Sequence, residues 1–391
     1  AYIFGGSDVE GNVSNDVWCL DVESMVWEKV HEGGTPEGDG GIAVPSPRTN
    51  HVMCRMDDVL TVHGGESSTG EQLDDLWLFS PISASWHEVL TSQTGPRPCA
   101  RSSHCLAYAS ADRGRSAYWG ENSPDRSSGK PSSVGSVVLF GGLGIDGGIA
   151  AGDAEEEPLP LNDLWVLSPA SAAHFGVGSE VAERSVAPAM GNSQPLPVWS
   201  SVMLDRVGPS PRSLSALVAP LLSYVGVEDS SRGVRDHVDA SGGENWNETA
   251  ELFLFGGYGL VELPSDGVEG SAHDEDSDEG ENIIMAYVDD LWGLKLQVGR
   301  SAENIADSDD REKRENYATE AGAYGNGVVS GGVGWVDEQG MGFAGPSPVE
   351  GRNGHTLACC GNKLILFGGF VGDGFDSGVH VAETPSLAAL E

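Results

Sequence analysis

Five short apolar runs in this chain each end on two consecutive glycines. The runs read AYIFGG, LTVHGG, VVLFGG, LFLFGG and LILFGG, and they are spread over the whole of the 391 residues. Glycine accepts positive φ values and leaves room for another backbone or ring, so a glycine pair suits the end of a buried strand. The pairs are Gly5 and Gly6, Gly64 and Gly65, Gly141 and Gly142, Gly256 and Gly257, and Gly368 and Gly369. This recurrence predicts a repeat architecture in which each copy forms one small sheet.

Two tryptophans follow the glycine pair in four of the copies. The first stands in NDVWCLD, DDLWLFS, NDLWVLS and DDLWGLK, and the full set is Trp18, Trp27, Trp77, Trp86, Trp165, Trp199, Trp292 and Trp335. Their regular repetition indicates packing between neighbouring sheets rather than stacking on a ligand. The preceding aspartates are predicted to accept backbone N–H bonds at a turn or at the start of a strand. They are Asp16, Asp75, Asp163 and Asp290.

An arginine-containing turn precedes four of the glycine-ended strands. The turns read PSPRTNH, RPCARSSH, GPSPRSLS and VEGRNGH, with the arginines at Arg48, Arg101, Arg212 and Arg352. We predict that most of these arginines serve structure by donating to loop carbonyl oxygens. Histidines follow three of them, at His51, His104 and His355. Such histidines could converge on a metal near an axis, but the repeat itself explains their periodic placement.

Each copy is therefore predicted to contain four short strands. The first follows the arginine, the second ends at the glycines, the third carries Asp-x-Trp and the fourth carries the second tryptophan. The second strand is apolar at nearly every position, which indicates that both faces of the sheet are covered. A four-stranded sheet that is buried on both faces must stack on copies of itself, and a radial stack is a β-propeller.

The apolar run, the double glycine, the spaced tryptophans and the P-x-R turn together resemble the kelch-repeat family, whose propellers are similar to that of galactose oxidase. The resemblance implies an all-β, kelch-type β-propeller of four-stranded blades, forming a single domain over residues 1–391. We expect about five repeats, at residues 1–47, 48–100, 101–211, 212–351 and 352–391. The propeller is expected to be incomplete at both ends. The first copy lacks its opening strand, and the fifth has FDSGVHVAE where Asp-x-Trp is expected.

The sequence does not decide how the ring of blades closes. The strands predicted for the first and last copies fit either a fragment of a larger propeller or a strained five-bladed ring. Residue 1 is Ala rather than Met and begins inside a strand. We therefore expect residues of the natural protein beyond this segment, and a further domain outside it.

Six long segments interrupt the compact spacing of the repeats. They are rich in Gly, Ser, Asp and Glu, and we predict that they are disordered because they bury too little apolar area to offset the entropy of ordering. The segments are residues 110–135, 143–161, 170–197, 224–250, 259–286 and 298–334. Propeller geometry places loops between second and third strands on the same face as the blade-to-blade turns.

The chain is strongly acidic, with 60 Asp and Glu against 21 Lys and Arg and a formal charge of -39. This balance argues against nucleic acid or an anionic membrane as a partner, because binding phosphate requires basic patches. Basic protein surfaces or cations are the natural partners, although the acidic residues also serve solubility. Cys19, Cys54, Cys99, Cys105, Cys359 and Cys360 show no CxxC spacing. Buried thiols in a reducing, cytoplasmic compartment are therefore expected.

No catalytic motif such as GxSxG, HExxH or a P-loop occurs, so we predict no enzyme activity, no cofactor and no metal. The resemblance implies a non-catalytic protein–protein interaction module that binds its partner through loops on one propeller face. The candidate surface is Arg48, Asn50, Arg101, Ser103, Arg352 and Asn353. Arginines there suit a carboxylate-bearing motif, whereas the overall acidity suits a basic partner, and both stay open. The alternative is a metal-dependent enzyme or specifier protein, with iron or copper, on a similar ring.

Overall fold

A computed structural model describes residues 1–34, 43–91, 96–109, 135–145, 157–170, 197–202, 208–219, 248–262, 283–298, 334–337 and 349–384. Every regular element within these ranges is a β-strand. None of the described segments forms a helix long and apolar enough to cross a membrane.

The strands group into five successive blades. The first contains β1 (Tyr2–Ser7), β2 (Val13–Asp21) and β3 (Val26–His31). The second contains β4 (Arg48–Thr49), β5 (Val52–Met56), β6 (Val59–Ser67), β7 (Gln72–Ser80) and β8 (Ser85–Glu88). The third contains β9 (Arg101–Ser102), β10 (Cys105–Ala109), β11 (Gly135–Gly144), β12 (Leu159–Ala170) and β13 (Val198–Val202).

The fourth blade is the largest. It contains β14 (Arg212–Ser213), β15 (Ala216–Val218), β16 (Glu248–Phe255), β17 (Tyr258–Glu262), β18 (Ile283–Tyr287), β19 (Leu291–Val298) and β20 (Gly334–Asp337). The fifth contains β21 (Thr356–Cys360), β22 (Lys363–Phe367) and β23 (Val379–Glu383).

The complete blades are four-stranded antiparallel meanders. Their strand orders are β5-β6-β7-β8, β10-β11-β12-β13 and β15-β16-β19-β20. In each, the second strand is central and the glycine pair follows its apolar residues, while the third strand carries Asp-x-Trp. The predicted all-β propeller of four-stranded blades is confirmed. The first and fifth blades have three strands each among the described residues.

The core lies between adjacent blades, as expected for sheets that stack on one another. Phe4 of the first blade shares a cluster of buried residues with Val62 of the second. Three further clusters join the second blade to the third, the third to the fourth and the fourth to the fifth. Side chains alternate along a strand, so one central strand contributes to two clusters: Val138 packs toward the fourth blade and Leu139 toward the second.

The tryptophans divide into buried and exposed positions. Four of them are at most 7% exposed: Trp77, Trp86, Trp199 and Trp292. Trp165 packs against the cluster between the second and third blades. The packing prediction is wrong for Trp27, which is 45% exposed on the outer strand of the first blade. Trp335 lies in β20, opposite Leu294.

The glycine pairs lie where backbone carbonyl oxygens of the arginine turns approach the second strand closely. Gly64 and Gly65 have φ values of 60° and 100°. A Cβ at Gly64 would lie 2.7 Å from the carbonyl oxygen of Arg101 in the next blade. One at Gly65 would lie 2.6 Å from the carbonyl oxygen of Thr49. These positions require glycine both for the left-handed backbone and for space.

A second layer of pairing ties the arginine turns to the segments that follow the glycine pairs. Arg48 lies opposite Ser67 in β6, Arg101 opposite Gly144 in β11, and Arg212 opposite Gly259 in β17. In the fifth blade an isolated bridge joins Asn353 to Phe370. The blade-to-blade turns and the loops between second and third strands therefore share one face, as predicted. We call it the turn face, and it contains residues 46–51, 99–104, 210–215 and 350–355.

Most of each predicted insertion lies outside the described residues, and the repeat boundaries stay a prediction. One correction concerns segment 259–286, whose two ends pair as the hairpin β17–β18. A second concerns segment 143–161, because its ends belong to β11 and β12.

Candidate functional site

The turn arginines lie inside the protein. Arg48 is 0% exposed, and its two terminal nitrogens donate to both carboxylate oxygens of Asp75 at 2.6 and 2.7 Å. It also donates to the carbonyl oxygens of Gly64 and Ser46 at 3.0 Å. This arrangement, which we call the arginine clasp, ties the turn to the glycine pair and to the third strand of the same blade.

The clasp recurs in four blades. The four pairs are Arg48 with Asp75, Arg101 with Asp163, Arg212 with Asp290, and Arg352 with Asp376. In every blade the arginine also donates to the carbonyl oxygen of the first glycine of the pair. The predicted bonding of the arginines to loop carbonyl oxygens is confirmed, and a carboxylate contact adds to it. That contact is bidentate in the second, third and fourth blades and made through one nitrogen in the fifth.

The repeat aspartates accept side-chain N–H groups, which corrects the predicted backbone contacts. Asp75 receives the indole N–H of Trp77 at 2.7 Å in addition to the guanidinium of Arg48. Burial alone would raise the pKa of Asp75, but the bonds and charge of Arg48, with the indole bond, outweigh it and lower the pKa. In the fifth blade Asp376 replaces Asp-x-Trp and contacts Arg352 and His380.

Three of the six residues predicted to bind a partner, the arginines, are buried in the structure. Arg48, Arg101 and Arg352 are at most 2% exposed, and their guanidinium groups donate to acceptors within the protein. A partner cannot reach their guanidinium groups without breaking the clasps. Asn50, Ser103 and Asn353 keep exposed or half-buried side chains, so a role for them in binding stays a proposal.

The residues two positions after each arginine form a connected chain on the turn face. Asn50, Ser103 and Leu214 have φ values of 52–54°, and Gly354 has 62°. The N–H of Ser103 donates to the carbonyl of Asn50, that of Leu214 to Ser103, and that of Gly354 to Leu214, at 2.8–3.0 Å. We call this set the turn chain. It joins four blades to one another through backbone bonds, and the side chains of Asn50 and Leu214 are exposed.

Several hydrogen-bonded polar side chains lie beside the turn chain, where the second and third blades meet. The carboxylate of Glu66 accepts from the Asn50 amide at 3.2 Å and from the Ser102 hydroxyl at 2.7 Å. The Gln72 amide donates to the carbonyl of Leu143 in the third blade at 2.9 Å. These contacts hold the loops of two blades together.

Histidines lie beneath the turn face. His63 and His104 contact each other through ring nitrogens at 3.0 Å, and both are buried. Burial lowers the pKa of His63 to about 3, and the pKa of His51 and of His355 to about 4, with nearby arginines adding to the effect. These rings are therefore neutral at pH 7. Among the described residues, no three or more His, Cys, Asp or Glu side chains lie close enough to hold a metal ion.

Four aromatic rings that the repeat pattern did not indicate lie together over the fourth and fifth blades. Ring centroids are 5.1 Å apart between Tyr258 and Tyr287, 5.7 Å between Tyr287 and Phe370, and 5.3 Å between Phe370 and Phe375. We call these four residues the aromatic strip. Phe370 and Phe375 stand in the loop GGFVGDGFDSG. Two phenylalanines in a glycine- and aspartate-rich loop were the available sequence signal.

Comparisons with known proteins agree with this architecture. The family described as KLHDC2/KLHL20/DRC7 Kelch-repeats domain matches residues 1–114. The chain is 30% identical to acyl-CoA-binding domain-containing protein 5 of Arabidopsis thaliana over 103 residues, covering 26% of this chain and 14% of that protein. It is 27% identical to an F-box/kelch-repeat protein of the same plant over 242 residues, covering 60% and 39%.

Two further matches are more distant or shorter. The dynein regulatory complex subunit 7 of Chlamydomonas reinhardtii is 26% identical over 148 residues, covering 37% of this chain and 10% of that protein. The solved structure of YjhT aligns with 99% of this chain and 79% of that one, at 12% identity and a TM-score of 0.46. The chain thus spans well under half the length of the curated relatives it matches.

Proposed function

We propose that this chain, which is a kelch-repeat β-propeller, is a non-catalytic protein-interaction module that binds its partner through the turn face. Kelch-repeat relatives favour protein interaction as the general role. The surface and the mode of binding are our own addition, as is a cytoplasmic location, which the six free thiols favour.

The turn chain is the observation that carries this proposal. Its backbone bonds join four blades, and the buried clasps hold each turn from below. A surface that is rigid before binding loses little conformational entropy when a partner docks. Side chains at equivalent positions differ, being Asn50, Ser103, Leu214 and Gly354, so the scaffold presents a surface of its own chemistry.

The test compares two triple variants of equal charge. Asn50→Asp, Ser103→Asp and Asn353→Asp alter the turn face, and Asp tolerates the left-handed backbone at the first two positions. Ser24→Asp, Ser83→Asp and Asn362→Asp alter loops between other strands, on the opposite face. Each protein is used to capture partners from a native extract, and the bound proteins are quantified by mass spectrometry.

We expect the turn-face variant to lose a stoichiometric partner that the wild type and the opposite-face variant both retain. Thermal unfolding must show that all three proteins are folded. Equal capture by both variants would exclude the turn face as the binding surface. Absence of any retained partner with the wild type would count against an interaction module altogether.

A further inference from the structure

The aromatic strip is part of the surface rather than of the core. Phe375 is 87% exposed, whereas Tyr258, Tyr287 and Phe370 are half-buried. None of the four rings belongs to the clusters of buried residues between the blades. A contiguous group of aromatic side chains that reaches the surface outside the core is a candidate binding surface.

The strip extends along the hairpin of the fourth blade. Tyr258 lies opposite Tyr287, and two residues further along Leu260 lies opposite Met285. Directly opposed residues, and residues two apart, point to the same side of a sheet. Met285 is 36% exposed. The aromatic rings and these two apolar side chains therefore form an elongated surface that suits an extended peptide segment.

The backbone that carries the strip is held firmly. Asn353 and Phe370 exchange both backbone hydrogen bonds, at 3.1 and 2.9 Å. The loop to Phe375 is closed by the N–H of Val371, which donates to the carbonyl of Gly374 at 3.0 Å. Asp376, the next residue, is fixed by the clasp of Arg352. The rings are thus pre-positioned, which lowers the entropic cost of binding.

The charges around the strip are negative. Three exposed carboxylates stand within three residues of a ring or of its backbone contact, at Asp289, Glu350 and Asp373. Gly351, next to Glu350, abuts the carbonyl of Tyr287. The two turn arginines on this side, Arg212 and Arg352, are buried in clasps and offer no exposed positive charge. An acidic partner would be repelled here, whereas a cation would be attracted by the carboxylates and by the ring faces.

We infer that the aromatic strip binds an extended segment of a protein partner that carries arginine or lysine, with a cationic group placed over the rings. This inference rests on the proposed function and names the chemistry of the partner at a surface that adjoins the turn face through the bridge between Asn353 and Phe370. It also decides between the two alternatives left open by the sequence in favour of a basic partner.

The experiment uses a short fluorescein-labelled peptide in which arginines alternate with Gly-Ser spacers, and a matched peptide in which citrulline replaces each arginine. Binding to the purified chain is followed by fluorescence anisotropy at about 150 mM salt, where weak surface attraction is largely screened. The variants are Phe375→Ala and Phe375→Leu, and the control is Ile82→Ala. Ile82 is 65% exposed and lies in the β7–β8 loop, on the opposite face.

We expect the arginine peptide to bind the wild type and the Ile82→Ala control equally, and both Phe375 variants about fivefold more weakly. The Phe375→Leu variant keeps an apolar side chain, so its loss isolates the ring face. If the arginine peptide bound all four proteins equally, its binding would be explained by the overall negative charge of the chain, and the inference would be overturned. Equal binding of the citrulline peptide would instead indicate a neutral occupant and overturn it also. Either failure, together with turn-face-dependent capture from extract, would leave the proposed function standing.

Discussion

Removing one carboxylate from an arginine clasp should destabilise the propeller much more than removing a neighbouring exposed one. The Asp75→Asn substitution leaves the guanidinium of Arg48 buried and takes away the charge that compensates it. The amide retains one acceptor oxygen, but its NH₂ group cannot accept from the second guanidinium nitrogen. Asp74 next to it is the matched control, because it contacts Arg97 at 3.4 Å with both side chains exposed.

The expected magnitude follows from the burial of the two partners. Breaking a fully buried ion pair on one side costs about 3–5 kcal/mol. Arg48 is fully buried but the Asp75 side chain retains 27% of its exposure, so water compensates part of the loss. We therefore expect about 2–4 kcal/mol for Asp75→Asn. Asp74→Asn should change stability by less than about 0.5 kcal/mol, as is usual for exposed pairs.

Urea unfolding followed by tryptophan fluorescence measures both variants against the wild type. The double variant Arg48→Met with Asp75→Asn supplies a further test, because it removes the stranded charge together with its partner. It should cost less than the two single variants added together. Equal unfolding midpoints for Asp75→Asn and Asp74→Asn would refute the clasp as the element that holds the turn.

Two further predictions concern single positions beneath and within the turn face. Leu214 has a left-handed φ of 54° and is 37% exposed. Asparagine tolerates this backbone better, so Leu214→Asn should stabilise the chain by about 0.5–1 kcal/mol, measured as a higher urea midpoint of unfolding. A lower midpoint would show that the leucine side chain contributes packing. Burial lowers the pKa of His355 in the folded state to about 4. Between pH 6.5 and pH 4 the unfolded chain therefore binds one proton more at this residue than the folded chain does. The free energy of unfolding should fall with falling pH by up to about 1.4 kcal/mol per pH unit because of this group. His355→Phe should remove that share and flatten the pH dependence of unfolding in this window, and an unchanged slope would contradict it.

The strand order was predictable from the sequence because it depends on local features. Gly64 and Gly65 end an apolar run, and Trp77 and Trp86 are nine residues apart, so each strand is marked within its own copy. The clasp was not predicted, since Arg48 and Asp75 are 27 residues apart and Arg212 and Asp290 are 78 apart. The number of residues between the two partners changes with the inserted loops, so no fixed spacing in the sequence indicates this contact.

One sequence signal for the clasp was nevertheless present. Each of the second, third and fourth copies contains one turn arginine and one aspartate before tryptophan. One arginine and one aspartate in every such copy is the pattern expected if the two residues pair within each repeat. Treating the arginines as a binding surface overlooked this pattern. Repetition indicated only part of the aromatic strip. Tyr258 and Phe370 each directly follow a glycine pair, where the other copies have Ser7, Glu66 and Leu143, but no repeated signal marked Tyr287 or Phe375.

We propose that this propeller recognises its partner through the positions at which its copies differ. Arg48 and Gly64, like their equivalents in the third, fourth and fifth blades, make contacts that hold the turns in place, so altering them for a partner would also destabilise the fold. The turn chain and Phe370 are held through backbone hydrogen bonds, so their side chains are less constrained. Under the proposed function, substitutions of such side chains would match a partner's chemistry at little cost to the fold.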